Sequence, residues 1–373
     1  MEIVDIDIPG HEYKVFIDSN VVSQIASLLD ESHKGQKVLI VTDSFFKDKY
    51  AQLISDSLQE KGLLPYIHVM KGGKSSKSFS EVLRIYGELE VKDFARDSVL
   101  IALGGGVVGD LAGFAASTWY RGMSFVHVPT SLMAMIDSSI GGKVAINYRE
   151  TINAVGNYYH PIANFMDLDL IDSLSDRDYI SGLAEVIKCA LIADSDFVNY
   201  LEKHSKEVLQ RNPACLVHCM RRTIEIKVEH VRDDVREGGK RLLLNYGHTL
   251  GHAIEMATQT EIGETFRHGE GVSLGMAAVL SVAQSYLEID DKVRNRALML
   301  LQLYKLPASF SVSELGFKRK DLINLCMRLI LKDKKRKENQ LRFILIDKVG
   351  SAEVYKGIPS EFILQAFEEV IKD

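Results

Sequence analysis

The sequence predicts an α/β N-terminal lobe built on a parallel sheet, followed by a mainly α-helical C-terminal lobe. Short β-branched runs alternate with helix-like segments in the first half, which is the pattern of a parallel sheet flanked by helices. From Arg177 onward, long segments carry apolar residues at helical spacing. The length of 373 residues exceeds what one compact core usually serves, since domains cluster at about 100 to 150 residues. We expect the domains to be residues 1–174 and 175–373.

The strands of the first lobe are predicted from short apolar runs. Four strands of the parallel sheet are expected at residues 37–42, 65–70, 98–103 and 125–129. The opening segments 2–8 and 13–17, joined through a Pro-Gly-His turn, predict a hairpin laid against the edge of that sheet.

The second lobe is predicted from apolar residues that recur at helical spacing. Long helical segments are expected at residues 179–202, 215–231 and 269–286. A late hairpin at 341–346 and 352–355 and a final helix from Pro359 are expected to close the chain.

Composition excludes several classes of protein. A net charge of −6 gives no electrostatic case for nucleic acid, and the basic run 332–337 is equally explained as a solvated loop. No segment approaches the ~20 apolar residues of a membrane span, and no signal peptide is recognisable, so we expect a cytoplasmic protein. The four cysteines lack the spacing of a zinc ribbon or disulfide framework and are expected to be reduced.

Two glycine-rich segments of the first lobe are candidates for phosphate binding. Gly104 to Asp110 follows a predicted strand and opens a helical segment, the context in which backbone amides can approach a pyrophosphate in a Rossmann-like sheet. The acidic residue expected about 20 positions later is missing, so a tight turn with close helix packing remains an equal alternative. Lys143 follows two glycines, with Asp137 nearby, and could present its ammonium group to a phosphate or cofactor. A surface turn would also explain this segment.

Histidines and carboxylates of the second lobe predict a metal site. His248 and His252 are four apart and project on one side of a helix, and His268 followed by Glu270 adds a third imidazole and a carboxylate. Two histidines and one carboxylate form the open ligand set of catalytic zinc. The alternative is that these are core histidines.

Two other pairs of polar residues have both functional and structural interpretations. Glu185 and Lys188 share a face of a predicted helix, where a surface ion pair worth about 0.5 kcal/mol would be the ordinary explanation. Arg241 and Asn245 are four apart and are expected on one helical face leading into His248. They would suit an anionic substrate, although a solvated basic face is the common alternative.

The chain resembles the 3-dehydroquinate synthase family, the sugar-phosphate cyclases of the shikimate pathway, over almost its whole length. The resemblance implies the dehydroquinate synthase-like fold. It rests on seven motifs in order: ALGGGVVGDLAGF (102–114), RG (121–122), VPTS (128–131), DSSIGGK (137–143), GLAEVIK (182–188), LNYGHTLGHAIE (244–255) and HGE (268–270).

The resemblance implies a metal-ligand set that differs from the one suggested by spacing. It makes Glu185, His248 and His268 the ligands of a divalent metal ion. That ion would be Zn²⁺ or Co²⁺, since both ions accept similar ligands. His252 becomes a neighbour of the substrate and its phosphate.

The resemblance also implies the residues that bind NAD and the substrate. NAD would be bound by Asp43, Lys77, Gly105, Gly106, Val107, Asp110, Thr130, Ser131 and Lys143. The substrate phosphate would lie near Arg121, Lys143, Asn153 and one of Lys334 or Lys335. The ring hydroxyls and the carboxylate of the substrate would lie near Asp137, Lys188, Lys227, Arg241 and Asn245. A homodimer is the family expectation.

The implied reaction converts 3-deoxy-D-arabino-heptulosonate 7-phosphate to 3-dehydroquinate. The alcohol at carbon 5 is oxidised by NAD while zinc polarises its oxygen. Phosphate is then lost by β-elimination, the hydride returns, and ring opening with an intramolecular aldol closure gives the product. NAD is regenerated in each turnover, and the substrate phosphate can serve as its own base.

Two positions depart from the family pattern, and three other functions remain open. Ile152 stands where the family usually carries a lysine near the cofactor. Lys74 replaces a glutamate expected near the adenosine ribose, which would weaken NAD binding or admit a 2′-phosphate.

The alternative functions are a cyclase of secondary metabolism that makes an aminodehydroquinate or valiolone-like product, a metal-dependent alcohol or glycerol dehydrogenase, and an inactive relative that serves as a binding protein. Arg241 and Asn245 favour a carboxylate-bearing substrate.

Overall fold

The chain forms two compact units. The computed structural model describes residues 1–29, 36–73, 76–149, 151–260, 263–313, 315–334 and 341–373. The first unit comprises Met1–Ser175 with Val231–Arg236, and the second comprises Asp176–His230 with Glu237–Asp373. Among the described residues, no helix combines the length and the apolar character needed to cross a membrane. All four cysteines are free thiols, as expected.

The first unit is built on a seven-stranded sheet with the order β1-β2-β9-β6-β5-β3-β4. Its strands are β1 (Glu2–Ile6), β2 (Tyr13–Asp18), β3 (Lys37–Asp43), β4 (Leu64–Met70), β5 (Val99–Gly104), β6 (Ser124–Pro129) and β9 (Ala163–Asp167). Every pair in the sheet is parallel except β1 with β2. The predicted parallel sheet and its edge hairpin are therefore confirmed.

Helices and a separate hairpin complete the first unit. They are α1 (Ile25–Leu28), α2 (Gln52–Glu60), α3 (Phe79–Val91), α4 (Gly106–Thr118), α5 (Leu168–Ile171) and the antiparallel strands β7 (Lys143–Tyr148) and β8 (Thr151–Tyr158). Strand β5 is buried at every position because the sheet is covered on both sides, which explains its continuous apolar sequence. One buried cluster joins Leu100 of β5 with Leu111 of α4 and Ile85 of α3.

The strand order creates a switch point between β3 and β5. The chain leaves β3 toward β4 on one side, and then returns to place β5 on the other side of β3. In open α/β sheets, ligands bind outside the carboxyl ends of the strands at such a point. Asp43 ends β3 and Gly104 ends β5, so the predicted nucleotide loop stands at the position that this rule favours.

The second unit is mainly helical, as predicted. Its helices are α6 (Asp176–Ala193), α7 (Ser195–Lys203), α8 (Ser205–Leu209), α9 (Pro213–Val231), α10 (His248–Thr258), α11 (His268–Leu287), α12 (Asp291–Leu303), α13 (Arg319–Lys334) and α14 (Ser360–Val370). The short strands are β10 (Phe310–Ser311), β11 (Arg342–Lys348), β12 (Ser351–Lys356) and β13 (Ile371–Lys372). The predicted late hairpin is the antiparallel pair β11 and β12, and the final helix is α14.

The helical segment predicted at 179–202 forms two separate helices, α6 and α7. The break occurs at Asp194, which adopts an extended backbone and accepts a hydrogen bond from the amide of Phe197. An aspartate in this position caps a new helix N-terminus. Arg222 of α9 donates to the second carboxylate oxygen of Asp194 and fixes the break. Apolar periodicity continues through such a cap, so it concealed the break.

Helices α10 and α11 pack backbone against backbone. A Cβ added to Gly275 would lie 1.9 Å from the carbonyl oxygen of Gly247, and one added to Gly251 would lie 2.5 Å from the carbonyl oxygen of Gly271. No side chain fits at these positions. The glycines therefore set how closely the two helices approach.

We expect Gly275→Ala to lower the free energy of unfolding by about 3 kcal/mol, because overpacking at a backbone contact cannot be relieved by a rotamer change. Gly87→Ala is the matched control. It lies inside α3 with no atom within 4 Å of the added Cβ, and should stabilise the protein by about 0.5–1 kcal/mol. Urea unfolding followed by circular dichroism measures both. Equal midpoints for Gly275→Ala and the wild-type protein would contradict the close contact.

Candidate functional site

Four side chains from three helices of the second unit converge on one point. Glu185 comes from α6, His248 and His252 from α10, and His268 from α11. Ligand atoms of the three imidazoles all lie within 4.8 Å of one another. The close contact between α10 and α11 brings His268 beside the other two histidines, so the cluster depends on the glycines described above.

Ring nitrogens of His248 and His268 lie close to one carboxylate oxygen of Glu185. Nε2 of His248 lies 3.5 Å from Oε1 of Glu185, and Nε2 of His268 lies 3.8 Å from the same oxygen. Ligand atoms of a tetrahedral zinc ion, each about 2.0–2.1 Å from the metal, are roughly 3.3 Å apart. The two imidazoles and the carboxylate therefore converge at about the separation that a metal ion requires.

The environment of Glu185 also fits a metal ion. Its side chain is 1% exposed, and Oε1 accepts no hydrogen bond within the described part of the chain. A buried carboxylate oxygen without a hydrogen-bond partner is costly, and coordination of a cation would offset that cost. Oxygen and imidazole ligands together suit Zn²⁺ or Co²⁺.

Lys188 forms an ion pair with Glu185 through Oε2, one helical turn further along α6. Lys188 is only 2% exposed, so the ordinary explanation of a surface ion pair is wrong. The interaction leaves Oε1 of Glu185 directed at the two imidazoles. Lys227 on α9 is buried as well.

Arg241 and Asn245 lie on a 3₁₀ helix, Lys240–Asn245, and not on an α-helix. In a 3₁₀ helix, residues three apart eclipse one another, so the expectation that residues four apart share one face is wrong. Arg241 is 2% exposed, and Nδ2 of Asn245 donates to Oε1 of Glu237 at 2.5 Å. The burial of the arginine excludes a solvated basic face at this residue.

In the first unit, the glycine loop joins β5 directly to α4. A Cβ at Gly104 would lie 2.4 Å from Cγ2 of Val108, and a Cβ at Gly106 would lie 3.1 Å from Oγ of Ser138. The amide of Thr130, at the end of β6, donates to the carbonyl of Gly104 at 3.0 Å. Gly105 precedes the helix with an extended backbone, so the loop presents free amides at a helix N-terminus, where anions bind.

Buried side chains support this loop from beneath and beside it. Burial lowers the pKa of His127 to about 3, so a neutral ring packs under Gly109, where an added Cβ would meet it at 3.0 Å. The Oγ of Ser131 accepts from the amide of Ala134 at 3.2 Å. Val107 packs against the apolar cluster of the unit.

Lys77, Asp110 and Asn153 meet in the first unit. The buried ammonium of Lys77 contacts Oδ2 of Asp110 on α4 and Oδ1 of Asn153 on β8. Three residues that the resemblance placed near NAD or phosphate are therefore brought together. Ile152, which precedes Asn153 in the sequence, is 60% exposed.

The segment that carries Asp137 and Lys143 is a turn held by buried contacts. Asp137 lies in a π-helical turn, Ala134–Ser138, and Lys143 is exposed at the first position of β7. Nδ2 of Asn164 on β9 donates to Oγ of Ser139 at 2.8 Å. Asn164 belongs to no sequence motif, since it is a lone asparagine inside a strand.

The remaining predicted residues are less informative. Oδ1 of Asp43 accepts from the amides of Phe45 and Phe46, so this carboxylate also stabilises its own turn. Arg121 is exposed and has a positive φ of 66°. Lys335, Lys74 and the side chain of Lys334 lie outside the described residues.

Glu255 is a residue of the cluster whose role the sequence did not reveal. Its Oε1 lies 3.3 Å from Nδ1 of His268. It stands seven residues after His248 on α10, the spacing that returns to the same helical face, and this was the signal that could have identified it.

Two family profiles match adjoining segments of the chain. The family profile of the 3-dehydroquinate synthase N-terminal domain matches residues 67–181, and that of the C-terminal domain matches residues 182–336. The chain is 34% identical to the 3-dehydroquinate synthase of Thermodesulfovibrio yellowstonii over 99% of this chain and 100% of that protein. It is 37% identical to the 3-dehydroquinate synthase of Nitrosococcus oceani over 96% and 97% of the two chains.

Solved structures share the fold. The 2-epi-5-epi-valiolone synthase ValA of Streptomyces hygroscopicus, solved with NAD⁺ and Zn²⁺, matches with a TM-score of 0.84 and 26% identity over 96% of each chain. A 2-deoxy-scyllo-inosose synthase complexed with carbaglucose-6-phosphate, NAD⁺ and Co²⁺ matches with a TM-score of 0.88 and 23% identity over 99% and 100%. Glycerol dehydrogenase of Schizosaccharomyces pombe has a TM-score of 0.64 and 16% identity over 95% and 88%.

The α/β unit, the helical unit and the imidazole–carboxylate cluster define a fold of the sugar-phosphate cyclase type, which more distant dehydrogenases share. Within this class, matches at 34% identity over essentially the full length are decisive. The chain belongs to the 3-dehydroquinate synthase family.

We expect Zn²⁺ to raise the melting temperature of the metal-free wild-type protein by about 5–10 °C at 100 times its Kd, because a ligand of the native state adds about 2.7 kcal/mol. Glu185→Gln should lose this rise. It should also destabilise the metal-free protein by about 3–5 kcal/mol, since Lys188 is then left buried without its carboxylate.

The control for this measurement is Glu202→Gln, which removes a carboxylate paired with Arg296 in the same unit. Differential scanning fluorimetry with EDTA and with added zinc measures all three proteins. An undiminished zinc response in Glu185→Gln would contradict a role of Glu185 as a ligand.

Proposed function

We propose that this chain is a 3-dehydroquinate synthase that converts 3-deoxy-D-arabino-heptulosonate 7-phosphate to 3-dehydroquinate and phosphate. The observation that carries the proposal is the full-length likeness to proteins of that name. The arrangement of Glu185, His248 and His268 supports it. Substrate and product are at the same oxidation level, so NAD would be regenerated. The enzyme would thus be a carbon–oxygen lyase.

Each unit would contribute its own part of the chemistry. Glu185, His248 and His268 of the helical unit would hold Zn²⁺ or Co²⁺, and the glycine loop of the α/β unit would hold NAD. When bound, the metal supplies electrophilic stabilisation of a developing oxyanion, and NAD supplies a reversible hydride acceptor. Domains of residues 1–174 and 175–373 with these two roles are part of the proposal.

The chain's own residues would bind and orient the reactants. The backbone amides at Gly105 and Gly106 would bind the pyrophosphate of NAD, because they open a 13-residue helix without side chains in the way. The ammonium of Lys77 would bridge Asp110 and Asn153, and so keep the residues beside the loop in place.

In the helical unit, a buried cation would select the acid substrate. The guanidinium of Arg241 can bind a carboxylate through two parallel hydrogen bonds. Asn245 and Lys227 would bind hydroxyl groups. His252, beside His248 with ring centroids 5.3 Å apart, would bind near the departing phosphate.

Further residues and properties belong to the proposal through the family resemblance. Arg121, Lys143, Asn153 and one of Lys334 or Lys335 would contact the substrate phosphate, and Asp137 and Lys188 the substrate hydroxyls. NAD contacts would also come from Asp43, Val107, Thr130, Ser131 and Lys143. The protein would act in the cytoplasm as a homodimer, which size-exclusion chromatography with light scattering tests.

A cyclase that forms a valiolone-type product is the second candidate, favoured by the likeness to ValA. Its sugar phosphate substrate would carry no carboxylate, so the buried Arg241 would have no anion to select. The presence of Arg241 and Asn245, which the family resemblance places near the substrate carboxylate, therefore favours the 3-dehydroquinate synthase reaction over the valiolone type.

We expect zinc-loaded protein with catalytic NAD to release phosphate steadily from 3-deoxy-D-arabino-heptulosonate 7-phosphate without accumulating NADH. A phosphate-coupled assay and absorbance at the NADH band follow the two quantities together. Stoichiometric NADH would identify a dehydrogenase. Release only from a sugar phosphate without a carboxylate would identify the second candidate.

We expect Arg241→Met to lower kcat/KM for this substrate by roughly 10- to 100-fold, since a charge-assisted hydrogen bond contributes about 1.5–3 kcal/mol. Arg221→Met is the control, because Arg221 is an exposed arginine of the same unit that pairs with Glu225. Equal losses in both variants would show that Arg241 does not recognise the substrate.

A further inference from the structure

The two ring nitrogens of His268 face two different carboxylates. Nε2 is directed at Oε1 of Glu185, 3.8 Å away, and Nδ1 is directed at Oε1 of Glu255, 3.3 Å away. We propose that Glu255 is a positioning residue of the metal centre, which holds the tautomer and ring orientation of His268. This inference rests on the metal centre proposed above.

The contact with Glu255 would fix which nitrogen of His268 carries the proton. A carboxylate beside Nδ1 favours the tautomer with hydrogen on Nδ1, which leaves the lone pair of Nε2 directed at Glu185. Oε1 of Glu255 is buried and accepts no hydrogen bond from the described residues. The imidazole of His268 is the partner placed to satisfy it.

The packing of α10 against α11 shows that the position of Glu255 is constrained. A Cβ on Gly271 would lie 2.2 Å from Oε1 of Glu255 and 2.4 Å from its Cγ. Only glycine at this position admits the carboxylate between the helices. The same close helix contact that brings His268 to the cluster therefore also seats Glu255.

His248 has an equivalent arrangement with a different acceptor. Its Nε2 is directed at Glu185, and its Nδ1 lies 3.2 Å from the backbone carbonyl of Tyr246. His248 is 13% exposed, whereas His268 is 31% exposed. Water competes more strongly for the ring of His268, so a charged acceptor is needed to hold it, while a carbonyl suffices for His248.

The test compares the zinc affinities of variants by competition with a chromophoric chelator. We expect Glu255→Ala to bind zinc about 10- to 100-fold more weakly than the wild type, the usual effect of removing an outer carboxylate from a ligating histidine. Glu255→Gln should lose less, because its amide oxygen can still accept from Nδ1. His268→Ala is the reference for loss of a ligand, and Glu202→Gln is the matched control.

A second readout separates positioning from packing. Cobalt-substituted Glu255→Gln should show an altered visible absorption spectrum, because the ligand field changes when a ligating ring reorients. The melting temperature of its metal-free form should match that of the wild type. A merely structural role would lower the melting temperature and leave the spectrum and the affinity unchanged.

Three outcomes would overturn the inference. Zinc affinity of Glu255→Ala within about threefold of the wild type would remove any role at the metal centre. A loss as large as that of His268→Ala would make Glu255 a ligand itself. Equal zinc binding by His268→Ala and the wild type would overturn the proposed metal centre, and the inference with it.

Discussion

The backbone contact between α10 and α11 is the constraint on which the candidate metal centre depends. Carbonyl oxygens of one helix occupy the space that side chains of the other would need at Gly251 and Gly275. Because the helices meet this closely, an imidazole at the start of α11 reaches the imidazoles of α10. Glu185 then needs only to project from α6 to complete the cluster. A single alanine in this contact would separate groups that must lie within a few ångströms of one another.

Cofactor binding in the α/β unit depends on a different constraint, the order of the strands. The switch point between β3 and β5 is the position at which open α/β sheets bind ligands, and the glycine loop follows β5 at that position. In the proposed function, backbone amides at the helix N-terminus would bind the phosphates of NAD, so the loop would need no long side chains. Lys77 adds a buried cation that joins Asp110 to Asn153, which are distant in sequence.

Buried charge distinguishes this site from an ordinary helical core. Glu185, Lys188 and Arg241 are each at most 2% exposed, and burial of such groups costs several kcal/mol unless they are compensated. Glu185 and Lys188 compensate each other in part. In the proposed function, the metal ion would compensate the second oxygen of Glu185, which accepts no hydrogen bond from the described residues. The free-energy cost of burying these charged groups is thus met on folding, before any small charged molecule binds.

The sequence by itself determined the parallel sheet, the helical second unit, the glycine loop and the pairing of His248 with His252, because these are local patterns of spacing and residue type. The family motifs in the sequence also indicated Glu185 and His268 as ligands. Tertiary structure decided the burial, the helix boundaries and the side-chain contacts, which the spacing of residues along the sequence does not determine. It showed that Glu185 and Lys188 are buried, that a cap at Asp194 divides the helical segment 179–202 into two helices, and that the turn at Arg241 is a 3₁₀ helix. It also showed that Glu255 faces His268. Burial and ring orientation depend on which helices pack together and how closely, and periodicity along one helix contains no information about its neighbours.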